Sequence, residues 1–73
     1  MSYILEAKLK MYGQTELEDY FVDFYFNMEH VQAFYMSSEN LISIVISGQI
    51  YEIEYNRSLY TIIKKYFTPI SLN

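Results

Sequence analysis

Two runs of strict period-two alternation, Leu41 to Ser47 and Ile50 to Asn56, constrain the fold more tightly than any other feature of this sequence. In the first run Ile42, Ile44 and Ile46 share a side opposite Ser43 and Ser47. In the second Tyr51, Ile53 and Tyr55 face one way and Glu52 and Glu54 the other. A helix would scatter these side chains around its axis, whereas two antiparallel strands collect the apolar ones on a single buried face. Gly48-Gln49 between them reads as the central pair of a type II′ turn, with glycine taking the positive φ at the first position. The chain is thereby expected to build around a β-hairpin.

The neighbouring segments extend that sheet. From residue 3 to 12, Tyr3, Leu5, Ala7, Leu9 and Met11 alternate with Ile4, Glu6, Lys8, Lys10 and Tyr12, which predicts a half-buried strand. Gly13-Gln14 breaks the pattern, and Thr15 with Glu18 forms a candidate capping box for a short helical stub. Residues 16 to 28 admit two readings. A helix would group Leu17, Tyr20, Phe21, Phe24 and Met28 but strand Val22 and Phe26 on the polar side. A strand from about residue 20 puts Tyr20, Val22, Phe24, Phe26 and Met28 on one face without exception, and it is preferred. A turn around Asn27 to His30 leads to another strand, Val31 to Ser37, and Ser38-Glu39-Asn40 is a polar connection. Leu59, Ile62, Ile63, Tyr66 and Phe67 recur at helical spacing, so a helix is expected over Ser58 to Phe67, with Lys64 and Lys65 in its last turn and Pro69 as its stop. The expected fold class is α+β: an antiparallel meander of about five strands with one C-terminal helix packed on it, in a single small domain spanning 1–73.

A domain of 73 residues has a thin core, and this one has no cysteine and a single histidine to staple it. Nine tyrosines and five phenylalanines exceed what so small an interior encloses easily, and tyrosine is favoured at interfaces, so a homodimer is expected. The N-terminal residues lack the basic segment and apolar run of a signal peptide, no apolar run approaches the ~20 residues of a membrane span, and an intracellular location follows. Asn56-Arg57-Ser58 matches a glycosylation pattern only by chance on that reading.

Charge carries the functional clue. Between Met11 and Asn56 lie eight acids, Glu16, Glu18, Asp19, Asp23, Glu29, Glu39, Glu52 and Glu54, and no lysine or arginine, within a chain of net charge −4. Such a block attracts basic surfaces and repels nucleic acid. Catalytic signatures are missing by comparison. His30 stands in a turn with no Cys and no serine motif beside it, the glycines are isolated, and the acids lack metal-ligand spacing, so neither enzyme activity nor a cofactor or metal is expected. Glu52 and Glu54, about 6.8 Å apart along one strand, would serve equally as acid and base or as edge-strand charges that discourage aggregation, and the second role is preferred. The aromatic side chains are interleaved with acids instead of the cations that single-strand binders use, which argues against direct nucleic-acid binding. The acids Glu16, Glu18, Asp19, Asp23, Glu29, Glu52 and Glu54 are therefore the candidate partner-binding residues. Converging on one surface, they could fill a groove built for phosphates, with Lys64 and Lys65 pointing elsewhere.

In its length, its central acids from Glu16 to Asp23 and its Glu52-Ile53-Glu54 strand, the chain resembles the sliding-clamp inhibitors of Twort-like staphylococcal bacteriophages. That resemblance implies a dimeric DNA mimic that occupies the DNA channel of the bacterial replication clamp and acts in the host cytoplasm. Over residues 21 to 67 the order of strand, turn, hairpin and closing helix is also similar to small flagellar-operon accessory proteins, a likeness of fold more than of role. The combined expectation is an acidic, DNA-mimicking inhibitor of a basic DNA-binding host protein. The alternative is a structural or regulatory oligomerisation module whose acidity serves solubility.

Overall fold

The computed structural model describes residues 4–14 and 18–67. Five strands, β1 (Ile4–Met11), β2 (Tyr20–Asn27), β3 (Val31–Ser38), β4 (Leu41–Ile46) and β5 (Gln49–Glu54), form one antiparallel sheet, and a single helix, α1 (Arg57–Tyr66), follows. The fold class expected from the sequence is the one observed. In space the strands run β2-β1-β5-β4-β3, so a β1–β2 hairpin is joined to the β3–β4–β5 meander through the two central strands.

The strand reading of the ambiguous segment is the one that forms. β2 pairs with β1 in unbroken register from Ile4 opposite Asn27 to Met11 opposite Tyr20. This sets Leu5, Ala7 and Leu9 beside Phe26, Phe24 and Val22 on the inner face, where Leu5, Ala7, Leu9, Phe24 and Phe26 join the core. On a helix Val22 and Phe26 would have stayed in water, and that difference decides between the two conformations. The proposed capping box at Thr15 and the stop at Pro69 lie outside the described residues.

β2 and β3 occupy opposite edges of the sheet, yet only the 3₁₀ turn Met28–His30 separates them. Asn27 to Val31 can span at most about 14 Å, whereas the edges of a flat five-stranded sheet lie about 19 Å apart. The sheet must therefore curl until its edges approach at this corner. Met28, with no exposed surface, plugs the corner between Phe26 and Val31, and Asn27 stabilises the turn by accepting the Glu29 N–H at 2.9 Å. On the concave side Phe24 of the edge strand β2 stacks on Tyr51 of the central strand β5, 5.4 Å between centroids.

Helix α1 closes the concave face. Leu59 and Ile63 project from it into a cluster with Ile42, Ile44 and Ile53, and full burial of each such side chain contributes about 1.5–3 kcal/mol. Phe34 seats the helix from β3, edge-on to Tyr60 at 6.1 Å and stacked on Phe67 at 5.5 Å. The helix begins one residue earlier than expected because Asn56 caps it, its Oδ1 accepting the Leu59 N–H at 3.1 Å. Asn56 thus has a structural task in the triplet that resembles a glycosylation pattern.

Two local expectations are corrected. The β4–β5 turn centres on Ser47-Gly48, not Gly48-Gln49, because Ile46 pairs with Gln49 and both loop residues have positive φ, 52° and 77°. That is a type I′ geometry, whose twist matches the flanking strands. Glu52 and Glu54 do not lie on an edge strand, since β1 docks along the free side of β5 and leaves β5 in the centre of the sheet.

Candidate functional site on the outer sheet face

Alternation that buries the inner side chains fixes what the convex face displays. β1 contributes Glu6, Lys8 and Lys10, β2 contributes Phe21, Asp23 and Tyr25, and β5 contributes Ile50, Glu52 and Glu54. No helix covers this face, because the only α-helix among the described residues packs on the other side and the 3₁₀ turn lies at the corner. Tyr25 and Ile50, at 61% and 60% exposed, stand clear of it.

Antiparallel pairing introduces cations that the linear charge pattern does not show. Lys8 lies directly opposite Asp23 and is ion-paired with it, although the two are 15 residues apart in sequence. One turn of the alternation further on, Lys10 approaches Asp19 with Nζ 3.7 Å from Oδ2, while Asp19 Oδ1 accepts the Gly13 N–H at 3.0 Å. Lys10 also sits 5.0 Å from the centroid of the Tyr12 ring. Tyr12 in turn donates its hydroxyl to Glu52 of β5. Its phenol is raised above the ordinary value of 10.0, chiefly by that hydrogen bond, with desolvation and the charges of Glu52 and Asp19 adding. The Lys8 ammonium is raised above 10.5, first by its hydrogen bond and then by the charge of Asp23. A hollow of about 450 Å³ separates this corner from the β3–β4 turn and gathers Asp19 and Glu54 around Lys10 and Phe21.

The seven acids singled out from the sequence therefore distribute unequally. Asp19, Asp23, Glu52 and Glu54 belong to the convex face or its rim, and Glu18 is exposed beside Asp19. Glu29 is exposed at the 3₁₀ corner, at the far end of β2 from Asp19 and about 25 Å away along the strand. Glu16 lies outside the described residues. Sequence reasoning did not assign Glu6, Lys8, Lys10 or Tyr12 to this surface. Their signal was present in the alternation of residues 3 to 12, which already put Glu6, Lys8 and Lys10 opposite Leu5, Ala7 and Leu9.

Net charge across the sheet is still polarised. On the convex face Glu6, Asp23, Glu52 and Glu54 oppose Lys8 and Lys10, four carboxylates against two ammonium groups, a balance of −2 before Asp19 and Glu18 are added. On the other side α1 carries Arg57, Lys64 and Lys65 and no acid, a balance of +3. Lys64 and Lys65 are exposed on that helix. Among the described residues no three His, Asp or Glu side chains gather as metal ligands do, and His30 is exposed in the 3₁₀ turn. No helix among them is long and apolar enough to cross a membrane.

No family model matches the chain, and neither a curated protein nor a solved structure matches it.

Proposed function

We propose that this protein is a non-enzymatic, acidic binding protein that inhibits a basic DNA-binding host protein by imitating the charge of DNA, with the DNA channel of a bacterial replication sliding clamp as its target and the bacterial cytoplasm as its setting. Occupying that channel blocks DNA loading. The observation that carries the reading is the charge polarity across the sheet: anionic on the convex, helix-free face and cationic on the helix. A molecule with that polarity is steered into a positive channel face first, and its bound acids displace the counterions that DNA would displace.

A homodimer belongs to the same reading, and β2 is the edge that favours it. Its eight residues run without a bulge and carry a single charge, Asp23, whereas the opposite edge β3 has register shifts at both ends that discourage pairing. Pairing of two β2 edges about a two-fold axis would make the convex faces of both copies one surface.

The alternative, an oligomerisation module without DNA mimicry, draws support from a different observation, the engagement of Asp19 and Asp23 by Lys10 and Lys8. The test is binding to a purified bacterial sliding clamp by calorimetry. DNA mimicry predicts that Glu54→Lys with Glu52→Gln weakens binding by tenfold or more and that Lys64→Glu with Lys65→Glu does not weaken it. Equal effects of the two pairs, or no binding by the parent protein, favours the module.

A further inference from the structure

The two central strands part company soon after they meet. Leu9 opposite Ile53 sets their register, β5 ends one residue later at Glu54, and by Arg57 the chain has turned into α1. β1 outruns its neighbour, so residues Leu5 to Lys8 are hydrogen-bonded to β2 on one side and border a groove on the other. The groove, about 430 Å³, lies between β1 and the first turns of α1.

Its chemistry is divided. Leu5, Ala7 and Leu59 form an apolar floor continuous with the core, and Ile62, 42% exposed, stands at the mouth. Glu6 and Glu54 stand on the rim, and among the described residues neither is in an ion pair. Lys8, the cation at this rim, is held by Asp23. An open strand edge, an apolar floor and a rim on which two carboxylates face one ammonium group are the three elements of recognition by strand addition, in which main-chain bonds give affinity and a side-chain pocket gives selectivity.

We propose that this groove binds an extended peptide segment that adds to the free edge of β1, inserts one aliphatic side chain between Ala7 and Ile62, and places lysine or arginine next to Glu6 and Glu54. Charge complementarity selects this occupant: an acidic segment would bring like charges against the rim, and a wholly apolar one would leave both carboxylates facing low-dielectric surface. The groove shares Glu6 and Glu54 with the convex face on which DNA mimicry rests, whereas Ile62 takes no part in that face, so a change at Ile62 separates the two readings.

The experiment is a titration of the full chain, isotopically labelled, with the end-blocked peptide Lys-Thr-Leu-Thr-Lys and with its acidic counterpart Glu-Thr-Leu-Thr-Glu, followed by amide chemical shifts. Saturable shifts confined to Leu5 to Lys8 and the first turns of α1, with at least tenfold preference for the basic peptide, are the expected result. Ile62→Trp fills the mouth at an exposed helix position and should reduce binding of both peptides tenfold or more while sliding-clamp binding is kept. Glu54→Lys should reverse the preference between the two peptides, a result that a general folding defect cannot produce. Absence of saturable binding, shifts centred elsewhere, equal affinity for the two peptides, or a preference unmoved by Glu54→Lys overturns the proposal.

Discussion

Leu9 stands directly opposite Ile53, and this pair sets the register between the β1–β2 hairpin and the β3–β4–β5 meander. Ile53 is fully buried and also faces Ile42 across the β4–β5 ladder, so one side chain sits where both parts of the sheet and the helix meet.

Ile53→Ala leaves a cavity at that junction and should lower stability by about 2–5 kcal/mol, while Ile53→Val costs about 0.5–1.5 kcal/mol. Ile50→Ala on the exposed face of the same strand should change it by no more than about 0.5 kcal/mol. Urea unfolding of the three variants checks the order, and a similar loss at positions 50 and 53 would contradict the assignment of faces.

Residue pattern made most of this architecture legible. Ile42, Ile44 and Ile46 against Ser43 and Ser47, and Leu59, Ile62, Ile63 and Tyr66 at helical spacing, fix the element type by periodicity, and both elements form where the pattern puts them, although Ile62 and Tyr66 remain 42% exposed and Ser43 is buried. Strand order was not legible, because alternation says which face a residue takes but not which strand lies beside it. Thus Glu52 and Glu54 faced outward as expected but on a central strand, and Lys8 and Lys10 reached Asp23 and Asp19 from a segment well away in sequence. The turn residues were misaligned by one because Gly48 suits either a II′ or a I′ turn, and only the opposition of Ile46 and Gln49 separates them.

That turn makes its own prediction. Gly48 has φ of 77° with open space where a Cβ would stand, so Gly48→Ala should cost about 1–2 kcal/mol from backbone strain alone. Ser47, at φ 52°, occupies a position that asparagine tolerates better, and Ser47→Asn should raise stability by a few tenths of a kcal/mol. Thermal unfolding should move in opposite directions for the two variants, whereas a type II′ turn would leave Ser47→Asn neutral or harmful.

The hydrogen bond from Tyr12 to Glu52 gives the molecule an alkaline signature. A phenol whose folded value is raised contributes stability that is fully present below its unfolded value of 10.0 and is lost as pH rises through the higher folded value. Lys8, raised above 10.5 by its hydrogen bond to and the charge of Asp23, loses its contribution in the same direction, as pH rises through its own folded value. The difference in ultraviolet titration between the parent protein and Tyr12→Phe should therefore show one tyrosine ionising late, and Glu52→Gln should return it toward 10. A tyrosine titrating normally in the parent would show that the bond does not form in solution.

The proposed self-association through β2 would have a register that electrostatics selects. If Asp23 met Asp23 of the second copy, like charges would be adjacent, whereas centring the two-fold axis on Phe24 sets each Asp23 opposite Tyr25 of the other copy. Tyr25 is exposed, so changing it spares the monomer core. Tyr25→Asp should weaken dimerisation by about 0.4–2 kcal/mol over the two symmetric pairs, roughly two- to thirtyfold, and Tyr25→Lys should strengthen it. Sedimentation equilibrium reads both, and a monomeric parent or equal effects of the two substitutions would exclude this interface.

The proposed DNA mimicry requires a face that attracts what DNA attracts, and the salt dependence of sliding-clamp binding tests it most directly. Between about 50 and 200 mM salt the affinity for a purified bacterial clamp should fall linearly on logarithmic axes and steeply, and duplex DNA should compete for the same site. Affinity that is flat across that range, or a clamp that holds protein and duplex together, would contradict it.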